Sequence, residues 1–496
     1  MKFCDSEDMI GLTQDYEKTS GAIDRTPGES INEPAILDGS SQKEISTPGR
    51  SEKTSLIQVI FSHLLIAVIA LFFFFVYANT FRGHPIYRQT HGPFNFECGI
   101  YRSYAEGRYD IFKTDDNKLI KHLLCAILYP VLNQAVFKHL GISDAPLVCS
   151  GLGSATIALF GIWLYWRTRG SPLVFLMMLL LGFSFNTWYV SSVWESRAFI
   201  MLGAMVLLWA IDLLIRKPRI LTLLFAILAM VFSILITIGN AYLLPLIPFA
   251  LLFRVRRIGL RKLMGWSLLY LAAVTIIVAA TYQIMGARVN PNLKLHKLIE
   301  LSRHEEKTIK ASPARLNWSN YRNVSLQSLV YSVGGLYLPS GDRMCDREWV
   351  NERAYQAYIY YIPGIAFVLI SSVLIMVTVV IFFRKLLWLK EPVLWVIILW
   401  MFLYITFFVY FNPWAGSVYA AELQPVLWAF FAVTLSYSRS WRLALIPLFL
   451  ALILAWNNYT VIRFFRYYYG DETEKAEISR SLLSKPDTPL FRPGGV

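Results

Sequence analysis

The sequence predicts an all-α, polytopic membrane protein with about eleven transmembrane helices. Three observations lead there. Hydrophobic residues make up 56% of the 496 positions and charged residues only 16%, where a soluble domain carries about a quarter charged. Apolar runs of about 20 residues recur along the chain, the length an α-helix needs to cross hydrocarbon. With the N-terminus inside, the Lys and Arg clusters between those runs all fall on one side, the positive-inside pattern. The net charge of +14 is then a property of cytoplasmic loops, and no nucleic-acid partner is expected.

Taken in order, residues 1–54 are rich in Ser, Thr, Glu, Asp, Gly and Pro with no apolar periodicity. Such a segment buries too little surface to offset its ordering entropy, so a disordered cytoplasmic segment is expected. The first apolar run begins near Ser55, too far along for a signal peptide. Ser55–Phe81 is the first span of a membrane domain covering 55–464, and it leads into an outer loop, 82–146. Inside that loop, His122–Leu140 is only moderately apolar and carries Asn133, Gln134, Lys138 and His139. That pattern suits a helix lying at the membrane interface.

Spans follow over Leu147–Trp166, Leu173–Tyr189, Phe199–Ile215, Leu221–Ile238, Ala241–Phe253 and Leu263–Met285. A long outer loop, 286–354, precedes Tyr358–Phe383, Val393–Phe411, Tyr419–Tyr437 and Leu443–Asn457, and a polar tail occupies 465–496. Counting His122–Leu140 as interfacial keeps Arg167/Arg169, Arg216/Lys217/Arg219, Arg254–Lys262, Arg384/Lys385/Lys390 and Arg439/Arg442 inside. Counting it as a span would send every later cluster outward, against the charge rule.

The outer loop holds the densest chemistry. Phe94–Tyr109 reads FNFECGIYRSYAEGRY, and Glu97 there sits among Phe94, Phe96, Ile100 and Tyr101. Apolar surroundings raise a carboxylate's pKa and a neighbouring Arg102 lowers it; in either state the group can accept a proton from a hydroxyl or amine. The plainer account is an acid paired with Arg102 or Arg108. Glu195, between Trp194 and Arg197 at a helix junction, is the second candidate, and an ion pair with Arg197 is its simpler account. The basic residues of the 286–354 loop suit lipid phosphates, although interspersed acids also fit a solvated face.

The Asn-x-Ser/Thr matches at Asn317, Asn323 and Asn458 fall on the outer face too. The five cysteines follow no metal or redox spacing, and a Cys98–Cys345 disulfide is allowed without being demanded. No P-loop, HExxH or Gly-x-Ser-x-Gly is present. Neither a metal nor another cofactor is expected.

The order of these features resembles the GT-C superfamily of polytopic glycosyltransferases, including the protein O-mannosyltransferase and lipid A aminoarabinose transferase branches. ECGIY places Glu97 four residues before Tyr101, which is similar to the family's acid-to-Tyr spacing in its first outer loop. KHLLCAILYPVL at Lys121–Leu132 resembles the interfacial helix, with His122 matching the family's His. WYVSSVWESRAF at Trp188–Phe199 resembles the turn that carries a Glu, and AELQPVLWAFF at Ala421–Phe431 the late span, with Glu422 where the family has Arg. One acid replaces the family's pair, and no large soluble C-terminal domain is expected.

The resemblance implies sugar transfer from a polyprenyl-phosphate carrier to a lipid, protein or glycan acceptor on the outer or lumenal face. Glu97 would be the general base, with Arg102, His122, Glu195 and Arg197 binding substrate. It implies a multi-pass protein of a bacterial inner membrane or the endoplasmic reticulum, with membrane lipids around it. A transporter or lipid flippase is the alternative from another class, and a non-catalytic GT-C-like subunit is a third. Against transport stands the gathering of acids and bases at outer helix ends, since transporters favour the midplane.

Overall fold

The computed structural model describes residues 56–84, 121–140, 146–290, 293–294, 296–297, 299–300, 317–334, 362–411, 420–438 and 440–469. All of them belong to the compact unit Ser55–Val496. Glu97, Arg102, Cys98, Cys345, the segment 1–54 and most of the 82–146 and 286–354 loops lie outside the described residues.

Every regular element among the described residues is helical. The longer ones, in chain order, are α1 (Leu56–Thr80), α2 (Leu123–Leu140), α3 (Leu147–Thr168), α4 (Leu173–Phe183), α5 (Phe185–Ser192), α6 (Arg197–Arg216) and α7 (Ile220–Ile236). A 3-10 turn at Ile238–Leu243 leads into α8 (Leu246–Leu252), followed by α9 (Leu260–Arg288) and α10 (Trp318–Leu326). Then come α11 (Ile362–Arg384), α12 (Pro392–Phe411), α13 (Leu423–Ser436) and α14 (Leu445–Tyr469).

Seven of these helices are long and apolar enough to cross a membrane, and an eighth span is formed if the bent pair α4–α5 counts as one. The other three predicted spans correspond to shorter apolar helices, Ile220–Ile236, Ile238–Leu252 and Ala420–Ser436. The first two are separate because the helical hydrogen-bond ladder breaks at Thr237, which is extended.

Helix α6 is the centre of the bundle, with 78% of its apolar stretch buried, while α1 buries only 22% and leaves its outer face to lipid. Small residues allow the close approaches around that centre. A Cβ on Gly182 of α4 would lie 2.2 Å from the Phe73 ring of α1, and one on Gly161 of α3 would lie 2.5 Å from Met178 Sδ. Ser154 Oγ of α3 donates to Ala70 O at 2.6 Å, so α1 and α3 are also joined by a polar contact.

The helices run between two ends. At one, Arg167 of α3 bonds both Asp212 Oδ1 of α6 at 3.2 Å and Glu391, the residue preceding α12. Asp212 also accepts from Trp163 Nε1 at 3.1 Å and Arg216 Nη2 at 2.9 Å, and Tyr437, just after α13, donates to Glu391. Arg254 Nε donates to Ile215 O near the end of α6. Arg167 and Arg216, from two of the predicted basic clusters, therefore meet in one ion network, and Arg254 of a third joins the same helix end through a backbone carbonyl. Asp212, which the sequence places near a span interior, belongs to this end.

Candidate functional site

The opposite end collects the irregular backbone. The α4–α5 pair bends by 60° at Ser184, whose ψ of 134° breaks the helix. A bend frees carbonyls that lipid cannot satisfy, so neighbouring helices must. Tyr77 OH donates to Gly182 O at 2.8 Å, Asn458 Nδ2 to Phe183 O at 2.6 Å, and Trp428 Nε1 to Ser184 Oγ at 2.8 Å. Asn458 reaches Val333 O at 3.0 Å as well, and Asn457 reaches Gly334 O at 2.6 Å. Asn458, one of the three Asn-x-Ser/Thr matches, is fully buried, and its amide braces backbone. Asn317, by contrast, is exposed and caps α10, accepting from Asn320 N at 2.8 Å.

Glu195 and Arg197 stand on the turn between α5 and α6. Each is buried, and Arg197 Nη1 lies 3.2 Å from Glu195 Oε1. Ser196 adds its backbone N–H at 3.0 Å and its hydroxyl at 3.1 Å to the same oxygen. The carboxylate thus takes a cation and two donors in a dry setting, the condition under which a buried charge is tolerated. The ion pair read from sequence as the simpler account is present.

Helix α2 reaches the same turn. Tyr129 OH donates to Glu195 O and lies 3.2 Å from Cys149 Sγ at the start of α3. One and two turns earlier, Cys125 Sγ and His122 Nδ1 approach Ile236 O, the last carbonyl of α7, at 3.8 and 3.2 Å. His122 and Glu195 therefore sit at the same end of the bundle, bridged by α2. Burial pushes the Cys125 thiol and the Tyr129 phenol well above their ordinary pKa values, with the Glu195 charge adding to it. A thiol held protonated in this way is a poor nucleophile or metal ligand. Among the described residues no group of three His, Cys, Asp or Glu is arranged to hold a metal.

A second acid appears here that sequence reading treated only as a departure. Glu422 closes the 3-10 turn before α13, is 3% exposed, and accepts a hydrogen bond at Oε1 from Tyr242 OH of the Ile238–Leu243 turn. The Ala420–Glu422 turn packs on α5, α6 and the π turn Gln327–Tyr331. Gln424 Nε2, two residues on, donates to Ser332 Oγ at 2.9 Å. The signal available in sequence was a lone acid at the head of an apolar run, which is costly unless something meets it. Tyr242 could not be foreseen as its partner, being 180 positions away.

No protein-family model matches this chain, and no curated protein matches it.

Proposed function

We propose that the protein is a membrane glycosyltransferase of GT-C-like layout, moving a sugar from a polyprenyl-phosphate carrier to a lipid, protein or glycan acceptor. In this reading eleven helical legs cross the membrane, α2 lies in the outer interface, and the basic helix ends are cytoplasmic. Glu97 takes the proton from the acceptor. Arg102, His122 and Arg197 face the carrier phosphate, and Glu195 holds Arg197 in position. Positive groups suffice to stabilise the departing phosphate, so the chemistry needs no metal.

The observation that carries this reading is the buried Glu195–Arg197 pair, on a turn at the end opposite the basic network and bridged by α2 to His122. Charges retained in a membrane domain at the cost of desolvation mark a site more often than a scaffold. Transfer of labelled sugar from a polyprenyl-phosphate donor, in proteoliposomes of the full chain, is the test. Wild type should transfer and Glu97→Gln should not. An inserted, folded wild type that transfers nothing from any lipid-linked donor overturns the reading.

The 60° break in α4–α5 favours a second reading, a transporter or lipid flippase, because transporters build sites on discontinuous helices. Here, however, three side chains from other helices occupy the groups around the break. A flippase would move lipid-linked sugar across the vesicle without transferring it, so the same proteoliposomes separate the two.

A further inference from the structure

We propose that the connection between α8 and α9, residues Arg254–Lys262, is a binding surface for the headgroups of anionic phospholipids in the adjoining leaflet. The proposal does not rest on the sugar-transfer reading, because it uses only charge and exposure to lipid.

Five of these nine residues are Arg or Lys, and no Asp or Glu stands anywhere between Asp212 and Glu300. The fold turns the cations outward. Val255 and Ile258 of the short helix Val255–Ile258 pack against the core, which leaves Arg256 and Arg257 exposed between them. Gly259, at a φ of +77°, then turns the chain into α9, whose first turn carries the exposed Arg261 and Lys262. Arg254 Nε donates to Ile215 O and ties the connection to the end of α6, so the cluster has a fixed seat. Burial, then the Arg257 and Arg167 charges, lower the Arg254 pKa, as expected where like charges crowd.

Among the described residues no ion pair uses Arg256, Arg257, Arg261 or Lys262. Cations in a first helical turn oppose the helix dipole, so the stability of α9 does not account for them. Their surroundings name the partner. Leu252 before the cluster and Leu260, Met264 and Leu268 after it are each more than half exposed, and α9 is a membrane-length helix with only 28% of its apolar stretch buried. These side chains meet acyl chains, which puts the cations beside them at headgroup height. Trp266 marks the same level, with Lys262 Nζ 5.0 Å from its ring centroid. A polybasic segment at the mouth of a membrane helix attracts anionic lipid, and zwitterionic lipid offers it no net charge.

The full chain should be placed in nanodiscs of phosphatidylcholine with phosphatidylglycerol, and retained lipids counted by native mass spectrometry. Wild type should retain phosphatidylglycerol in preference to phosphatidylcholine. Each cation near an anionic surface contributes about fivefold in affinity, so Arg256→Gln with Arg257→Gln should lower that preference roughly tenfold or more. Both side chains are exposed, so the unfolding midpoint should not move. Arg288→Gln with Arg322→Gln removes two exposed cations outside the connection and should leave the preference intact. Excess inorganic phosphate at constant ionic strength should leave the retained lipid in place. The proposal falls if wild type shows no preference, if the variant at 256 and 257 keeps it, or if the variant at 288 and 322 loses it equally. Displacement by phosphate would assign a soluble anion and overturn it as well.

Discussion

Single residues divide into groups that hold the fold and groups proposed to act, and substitutions separate them. Arg167 belongs to the first kind. It is the cation for Glu391 and shares Asp212 with Arg216. Removing one partner of a buried ion network leaves the others charged and unpaired, which costs about 3–5 kcal/mol. Arg216 remains on Asp212, so Arg167→Met should cost about 3 kcal/mol, read as a lower unfolding midpoint in detergent. Adding Glu391→Gln removes the stranded charge and should recover most of that loss. Glu97 belongs to the second kind. Glu97→Gln keeps size and shape but removes the base, and general-base assistance is worth about 10²- to 10⁴-fold in rate. Initial transfer rates should fall by that factor with the unfolding midpoint unchanged, while Arg102→Gln should mainly weaken carrier binding. A Glu97→Gln protein that transfers at the wild-type rate would move the proton transfer to another acid.

At the scale of elements, helix contact depends on where side chains are absent. Gly182 and Gly151 make a matched pair. The Phe73 ring that a Gly182 Cβ would strike is itself fully buried and has nowhere to move. Gly182→Val should therefore destabilise by about 1–3 kcal/mol or more. Gly151 of α3 has nothing within 4 Å of its Cβ position. Gly151→Ala should stabilise by up to about 1 kcal/mol through helix propensity alone. Thermal unfolding of the two variants side by side should show shifts of opposite sign. The legs of the bundle were legible in sequence because a run of apolar residues is a local signal. The break between α7 and α8 was legible too, read at Gly239-Asn240 and found at Thr237, but the break at Ser184 was not, because what makes it tolerable is a set of donors on other helices, Asn458, Trp428 and Tyr77. Asn457 and Asn458 inside an apolar stretch were the one local hint.

For the whole molecule, sequence charge grouped the helix ends that the ion network joins, since like-sided clusters follow from counting alternating legs. It could not give the pairing of Arg167 with Asp212 and Glu391, which depends on helix packing order. Nor could it give the Glu422–Tyr242 contact. The number of crossings is the remaining question at this scale, and parity narrows it. Helix α13 leads from Glu422 to Tyr437, which sits on Glu391 in the basic network, so it runs from one end to the other. Helices α7 and α8 are different, because they come as a pair. If they dip in and return without crossing, eleven crossings become nine and every other end keeps its side. The turn at Gly239 between them decides it, being partly exposed with only Thr237 Oγ1 near its Cβ position, at 3.6 Å. Gly239→Cys and Arg261→Cys should be made with Cys4, Cys98 and Cys345 replaced by Ser, leaving the buried Cys125 and Cys149. A membrane-impermeant maleimide added to sealed vesicles from each side in turn should label Gly239→Cys only from outside. It should label Arg261→Cys only from the cytoplasmic face. Labelling of both from the same face would make α7–α8 a re-entrant pair and put the Ile236 carbonyl, with His122 on it, on the cytoplasmic side of the proposed site.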